Sequence, residues 1–171
     1  PCRLDLGPEP QVRRQAEAAG VDGFLIKPIN PSLLVDTLVE LFAPEHAVTA
    51  GSAVGEVPRF KDAKVLLVED NDVNQQIAVE LMAAADVVVD VSANGLEALE
   101  RLRAAGPTHY DLVFMDLQMP VMDGHEATAA IRGDAALKAL PIIAMTAHAM
   151  PEERARCIAE LLDERCTDGG A

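Results

Sequence analysis

Four short apolar runs constrain this chain more than anything else in it. KVLLV (64–68), VVVDV (87–91), DLVFMD (111–116) and PIIAMTA (141–147) are short, largely apolar and often bounded by acids. Such runs read as strands covered on both faces, a property of parallel sheets. Helical signals fall between them. Asn71 or Asp72 can cap a segment in which Val73, Ile77 and Leu81 lie four apart. Asn94-Gly95 marks a turn ahead of a face made by Leu96, Leu99 and Leu102. HEATAAIR (125–132) and the stretch from Glu152 to Leu162 read as further helices. This alternation predicts an α/β fold, a doubly wound parallel sheet with helices on both faces.

The amino-terminal part keeps the same rhythm apparently out of place. Glu9 to Ala19 is amphipathic and helical, and Gly20 is placed to end it. DGFLIK (22–27) reads as a strand, and Pro31 opens a helix with Leu34, Leu38 and Leu41 on one face. One strand makes no sheet, so residues 1–42 cannot bury themselves alone. Residues 43–63 lack periodicity, carry Pro44, Gly51, Gly55 and Pro58, and read as a linker. Residues 64–162 hold the strand–helix alternation, and 163–171 form an irregular tail.

In open parallel sheets the ligand site lies beyond the carboxyl ends of the strands. Glu69-Asp70 stands at the end of the first run, Asp116 at the end of the third and Thr146 at the end of the fourth. Three clustered carboxylates repel one another unless a cation joins them. Oxygen ligands of this kind select Mg²⁺ or Mn²⁺ over zinc. A carboxylate left free beside such an ion is a nucleophile for phosphoryl groups. The net charge of −14 suits a cation site or a basic partner and argues against direct nucleic-acid binding. The three cysteines form no CxxC pair and no stretch reaches the ~18 apolar residues of a membrane span, so a cytoplasmic protein is the default.

VLLVEDNDVNQQIA, VFMDLQMPVMDG and PIIAMTAHA resemble the receiver domain of two-component phosphorelays, in the form attached to hybrid sensor histidine kinases. The spacings agree, with Asp116 46 residues after Asp70 and Thr146 30 after Asp116. The resemblance implies a flavodoxin-like sheet of strand order 2-1-3-4-5. It implies that Asp116 accepts a phosphoryl group from phosphohistidine and that Thr146 is the switch hydroxyl. It also implies Mg²⁺ held by Glu69, Asp70, Asp116 and the Gln118 carbonyl. The implied partner is a histidine kinase or a histidine phosphotransfer domain. The chain itself would be a signalling module rather than an enzyme.

One expected part is missing where the family would have it. A receiver closes with a fifth strand ending in Lys-Pro, about 22 residues beyond the threonine, and Asp168 stands there. Residues 16–42 resemble that closing part instead. Lys27-Pro28 matches the strand end and Phe24 the switch aromatic three residues earlier. Two arrangements follow. Residues 1–42 are the remnant of one receiver and 64–171 an incomplete second, as in a truncated or frameshifted reading frame. Alternatively, residues 22–27 supply the fifth strand of the same receiver. The 21-residue linker has a coil reach of roughly 25 Å, enough for that closure. Closure between two chains would give a domain-swapped dimer. The helices at 9–19 and 152–162 compete for one place in the closed form. A Lys27–Asp116 distance well over ~10 Å would exclude closure.

Two rivals complete the sequence reading. A Mg²⁺-dependent aspartyl-phosphate phosphatase of the haloacid-dehalogenase type needs an acid two residues after the nucleophile, where this chain has Gln118. A degenerate, non-phosphorylated interaction module would keep the shape and lose the lysine.

Overall fold

A computed structural model of the chain describes residues 10–42 and 59–147. The helix expected over 152–162, the tail and most of the linker lie outside the described residues. In chain order the elements are α1 (Pro10–Ala19), β1 (Gly23–Ile26), α2 (Pro31–Phe42), β2 (Lys64–Val68) and α3 (Asp72–Ala84). There follow β3 (Val88–Ser92), α4 (Gly95–Ala105), β4 (Leu112–Asp116), α5 (Gly124–Gly133) and β5 (Ile142–Thr146). Among the described residues no helix is long and apolar enough to cross a membrane.

All the strands join one parallel sheet of five, in the order β1-β5-β4-β2-β3. Read from β3, this is the doubly wound order expected above, with β1 in the fifth place. The amino-terminal strand therefore closes the edge that β5 would otherwise leave open. Gly23 pairs with Ile143 and Ile26 with Thr146.

Side chains alternate across the sheet because a strand has a period of two. Leu66, Val68, Val113 and Met115 face α4 and α5, whose Leu99, Leu102 and Ile131 cover them. Val65, Leu67, Leu112 and Phe114 face the opposite way, toward α2 and α3. Leu25, Leu34 and Leu38 from the amino-terminal segment are fully buried in that second layer. Each contributes roughly 1.5–3 kcal/mol by leaving water. The segment is thus part of the core. Helix α1 sits beside α5, where its Ala16 meets Leu117 and Ala144. It fills the place for which two helices competed in the sequence.

The end of the presumed linker belongs to the fold. The Phe60 N–H donates to the Ala85 carbonyl at 2.8 Å, and its ring lies 5.9 Å from that of Phe42.

Two helix faces differ from the sequence reading. On α3, Val73 is 65% and Ile77 45% exposed, while Ala78 and Met82 are buried. Steps of four drift around a helix of 3.6 residues per turn, and the small Ala78 lets α3 approach the sheet. On α4, Leu96 is exposed and Ala98, Leu99 and Leu102 are buried. Asn94 proves to be that helix's N-cap, accepting the Glu97 N–H at 2.9 Å.

If α2 shares the core, Leu38→Ala should lower the stability of the whole chain by about 3 kcal/mol. Urea denaturation should still give one transition. A separate early transition, with the main midpoint unmoved, would mean that the amino-terminal segment folds apart.

Candidate functional site

Parallel strands deliver their carboxyl ends to one edge of the sheet. Glu69 and Asp70 follow β2, Asp116 ends β4, Thr146 ends β5 and Lys27 follows β1. Because β2 and β4 are neighbours, Glu69, Asp70 and Asp116 fall together, with one carboxylate oxygen from each within 4.8 Å of the others. β1 lies two places from β4, which is roughly 10 Å at normal strand spacing. The long Lys27 side chain spans that gap. Its Nζ lies 2.7 Å from Asp116 Oδ2 and 2.5 Å from Glu69 Oε2. These residues are 89 apart in sequence at Lys27 and Asp116. Lys27 is fixed at its backbone as well, donating its N–H to the Thr146 carbonyl at 2.9 Å.

Glu69 is 1% and Asp116 4% exposed, whereas Asp70 faces solvent. Glu69 Oε1 accepts the Asn74 amide at 3.0 Å and the Asn71 N–H at 3.3 Å. Its Oε2 pairs with the Lys27 ammonium. Asp116 Oδ1 accepts the Gln118 N–H at 3.0 Å. Burial pushes the Asp116 carboxyl above its usual range, and Lys27 and the Gln118 N–H offset part of that. Burial alone would lower Lys27. Hydrogen bonds and charge from Asp116 and Glu69 outweigh it and hold the lysine above its ordinary value.

The loop after β4 explains the rest of VFMDLQMPVMDG. Asp123 is the N-cap of α5 and forms a capping box with Glu126, so it takes no part in the acidic cluster. Gly124 must be glycine, because a Cβ there would stand 2.2 Å from the Asp116 carbonyl oxygen. A cleft of about 550 Å³ opens beside this loop, between Gln15 of α1 and Gln118, Pro120, His125 and Thr146. Phe24 lies with Ala16, Leu117 and Ala144, on the sheet face opposite Leu25.

The sequence reading missed Asn74. It lies one turn into α3, where a helix that starts beside Glu69 turns this side chain back onto the carboxylate. Gln75, whose amide donates to the Glu69 carbonyl at 2.7 Å, was missed for the same reason.

Carboxylate oxygens from Glu69, Asp70 and Asp116 within 4.8 Å of one another, with one ammonium against three negative charges, fit a hard divalent cation. The same edge offers Asp116 as a nucleophile with an ammonium beside it.

The family model of the response regulator receiver domain matches residues 65–163. That span begins at β2, so β1 and Lys27 lie outside it. The two-component response regulator ORR41 of Oryza sativa subsp. japonica is 48% identical over 96 residues, covering 54% of this chain and 72% of that protein. Histidine kinase 5 of Arabidopsis thaliana is 35% identical over 134 residues, covering 63% of this chain but only 14% of the kinase. Among solved structures, the receiver domain of the sensor histidine kinase PA1611 from Pseudomonas aeruginosa PAO1, with magnesium coordinated in its active site cleft, is 37% identical. It covers 57% of this chain and 77% of its own, with a TM-score of 0.46.

A base held above its ordinary value gives stability that is complete below its unfolded pKa and is lost as pH rises through the folded one. Metal-free chain should therefore lose stability as pH climbs past the ordinary lysine value of 10.5. Lys27→Met should flatten that loss, read as urea midpoints from about pH 9 to about pH 11.5. An unchanged slope would show that the ion pair contributes nothing.

Proposed function

The chain belongs to the response regulator receiver family, and from that premise we propose that it is the phosphoacceptor module of a two-component phosphorelay, with Asp116 as the accepting side chain. The observation that supports this most is the meeting of Lys27 with Asp116 and Glu69 at the carboxyl edge of the sheet. Lys27 itself lies outside the span that the family model matches. On this reading residues 10–42 and 59–147 form one receiver unit, with the strand at 23–26 closing it.

In the reaction, one Asp116 carboxylate oxygen attacks the phosphorus of a phosphohistidine. An O–P bond forms as the P–N bond breaks. The imidazole leaves with the electron pair of that bond and takes up a proton from solvent. Lys27 stands where it can pair with the phosphoryl oxygens, and Thr146 places a hydroxyl at the neighbouring strand end. Glu69, Asp70 and Asp116 would hold Mg²⁺ together with the Gln118 carbonyl. When bound, the ion neutralises charge on the group being transferred. Asn74 and Asn71 keep Glu69 turned toward the site. The donor is a histidine kinase or a histidine phosphotransfer domain, and Thr146 and Phe24 report occupancy to it or to an output partner.

The rivals weaken on two residues. Gln118 offers an N–H to Asp116 where a phosphatase of the kind considered would have an acid. A degenerate module would lack the lysine at the acid cluster, and here Lys27 lies 2.7 Å from Asp116.

Incubation with acetyl phosphate and Mg²⁺ should add one phosphoryl group, seen by intact mass, and EDTA should prevent it. Asp116→Asn should abolish the adduct, and Lys27→Met should slow its formation by about 10–100-fold. No adduct on the unaltered chain would favour the inert module. The same segment could also close the sheet of a second copy. Light scattering across a concentration series should find a monomer that retains phosphorylation if closure is internal, and a dimer if the segment is exchanged.

A further inference from the structure

The closing strand is short for the task it performs. β1 has four residues, Gly-Phe-Leu-Ile, and forms its ladder with β5 alone. Only Leu25 of its four residues is buried, so the burial pattern alone holds the register weakly. A slip of one residue is resisted, since it would carry Leu25 off its buried face. A slip of two keeps every side chain on its own face. It shifts the strand by about 6.6 Å, twice the rise per residue. Lys27 would then lose Asp116.

Arg132, near the end of α5, meets the chain just ahead of β1. Its Nε donates to the Gly20 carbonyl at 2.7 Å and its Nη2 to Asp22 Oδ2 at 2.7 Å. Its Nη1 donates to the carbonyls of Lys138 at 3.0 Å and Leu140 at 2.8 Å, just ahead of β5. Asp22 in turn accepts the Ile142 N–H at 2.8 Å on the same Oδ2, and its own N–H donates to the Ile142 carbonyl at 2.8 Å. One planar fork thus binds the residues that precede both strands. Gly20 makes room for it. Its φ is +97°, and a Cβ there would come within 2.9 Å of Arg132 Cγ. Arg132 lies eight residues along α5 from Gly124, about 12 Å by helical rise, and so stands apart from the acidic cluster.

We propose that Arg132 is a positioning residue that sets the β1–β5 register and thereby places Lys27 on Asp116. A slipped strand would carry Asp22 and Gly20 away from the fork, so the two-residue slip loses both contacts at once. The link from register to phosphoryl transfer rests on the function proposed above.

Hydrogen exchange on the full chain, followed by mass spectrometry, reads the register separately from the chemistry. In Arg132→Gln, amides at 22–27 should exchange about tenfold faster or more. Those of β2 and β4 should keep their protection. Arg132→Lys retains a charge for Asp22 without the fork and should fall between. With acetyl phosphate and Mg²⁺, Arg132→Gln should slow adduct formation. The double variant with Lys27→Met should be no slower than Lys27→Met alone. Unchanged protection at 22–27 overturns the proposal. So does an equal loss across β1, β2 and β4, or a double variant slowed by the product of the single effects. If the unaltered chain takes no phosphoryl group, the proposed function fails, and the exchange comparison still decides the register.

Discussion

Two carboxylates buried side by side destabilise a fold unless a cation reaches them. Glu69 and Asp116 are in that position, and Lys27 is the cation that reaches them. Removing one partner of a buried, hydrogen-bonded pair typically costs 3–5 kcal/mol, because the other charge stays behind unpaired. The sheet edge and the site are therefore held by one interaction. A strand that closed the edge without a lysine would satisfy β5 and leave Asp116 and Glu69 uncompensated. A lysine on a loop could balance the charge and leave the β5 ladder open. β1 does both because its last ladder bond, from the Lys27 N–H to the Thr146 carbonyl, belongs to the residue that carries the ammonium.

The sheet edge was legible in the sequence because parallel strands sort their ends without help from side chains. Once KVLLV, DLVFMD and PIIAMTA were strands, Glu69, Asp70, Asp116 and Thr146 had to share an edge. Lys27 was legible as a strand end, but its destination was not. Nothing in FLIKP says which sheet it joins, and two arrangements stood until β1 was seen beside β5. The faces of α3 and α4 were misread at Val73, Ile77 and Leu96 because apolar spacing alone does not weigh alanine as a contact surface. Asn74 and Arg132 were invisible for another reason. Asn74 serves a carboxylate five residues back, and Arg132 binds mostly main-chain carbonyls, which no sequence pattern marks.

Closing a sheet with a strand from the other end of the chain changes how the fold must assemble. β1 and β5 are separated by most of the sequence, so their pairing has to overcome a large loop-closure entropy before any ladder bond forms. Contacts within β2 to β5 are more local and gain earlier. The buried leucines of α2 and β1 offset that entropy, since they complete the layer formed by Val65, Leu67 and Phe114. Short range then matters as much as burial. Leucines tolerate a shift along an apolar layer, whereas a salt bridge at 2.7 Å does not. A fixed anchor at the start of the strand serves the end of the strand.

Charge is balanced unevenly across the site. Three carboxylates meet one ammonium there. Lys27 sits with Glu69 and Asp116, the two buried acids, where an unpaired charge costs most. The remaining acid, Asp70, is exposed, so solvent and salt screen it. The buried side of the cluster still carries one net negative charge, two carboxylates against one ammonium, and Asp70 adds another that faces outward. A hydrated cation drawn to the cluster would meet Asp70 first, on the solvent side. An anion as large as a phosphoryl group is repelled by the same charge until a cation offsets it.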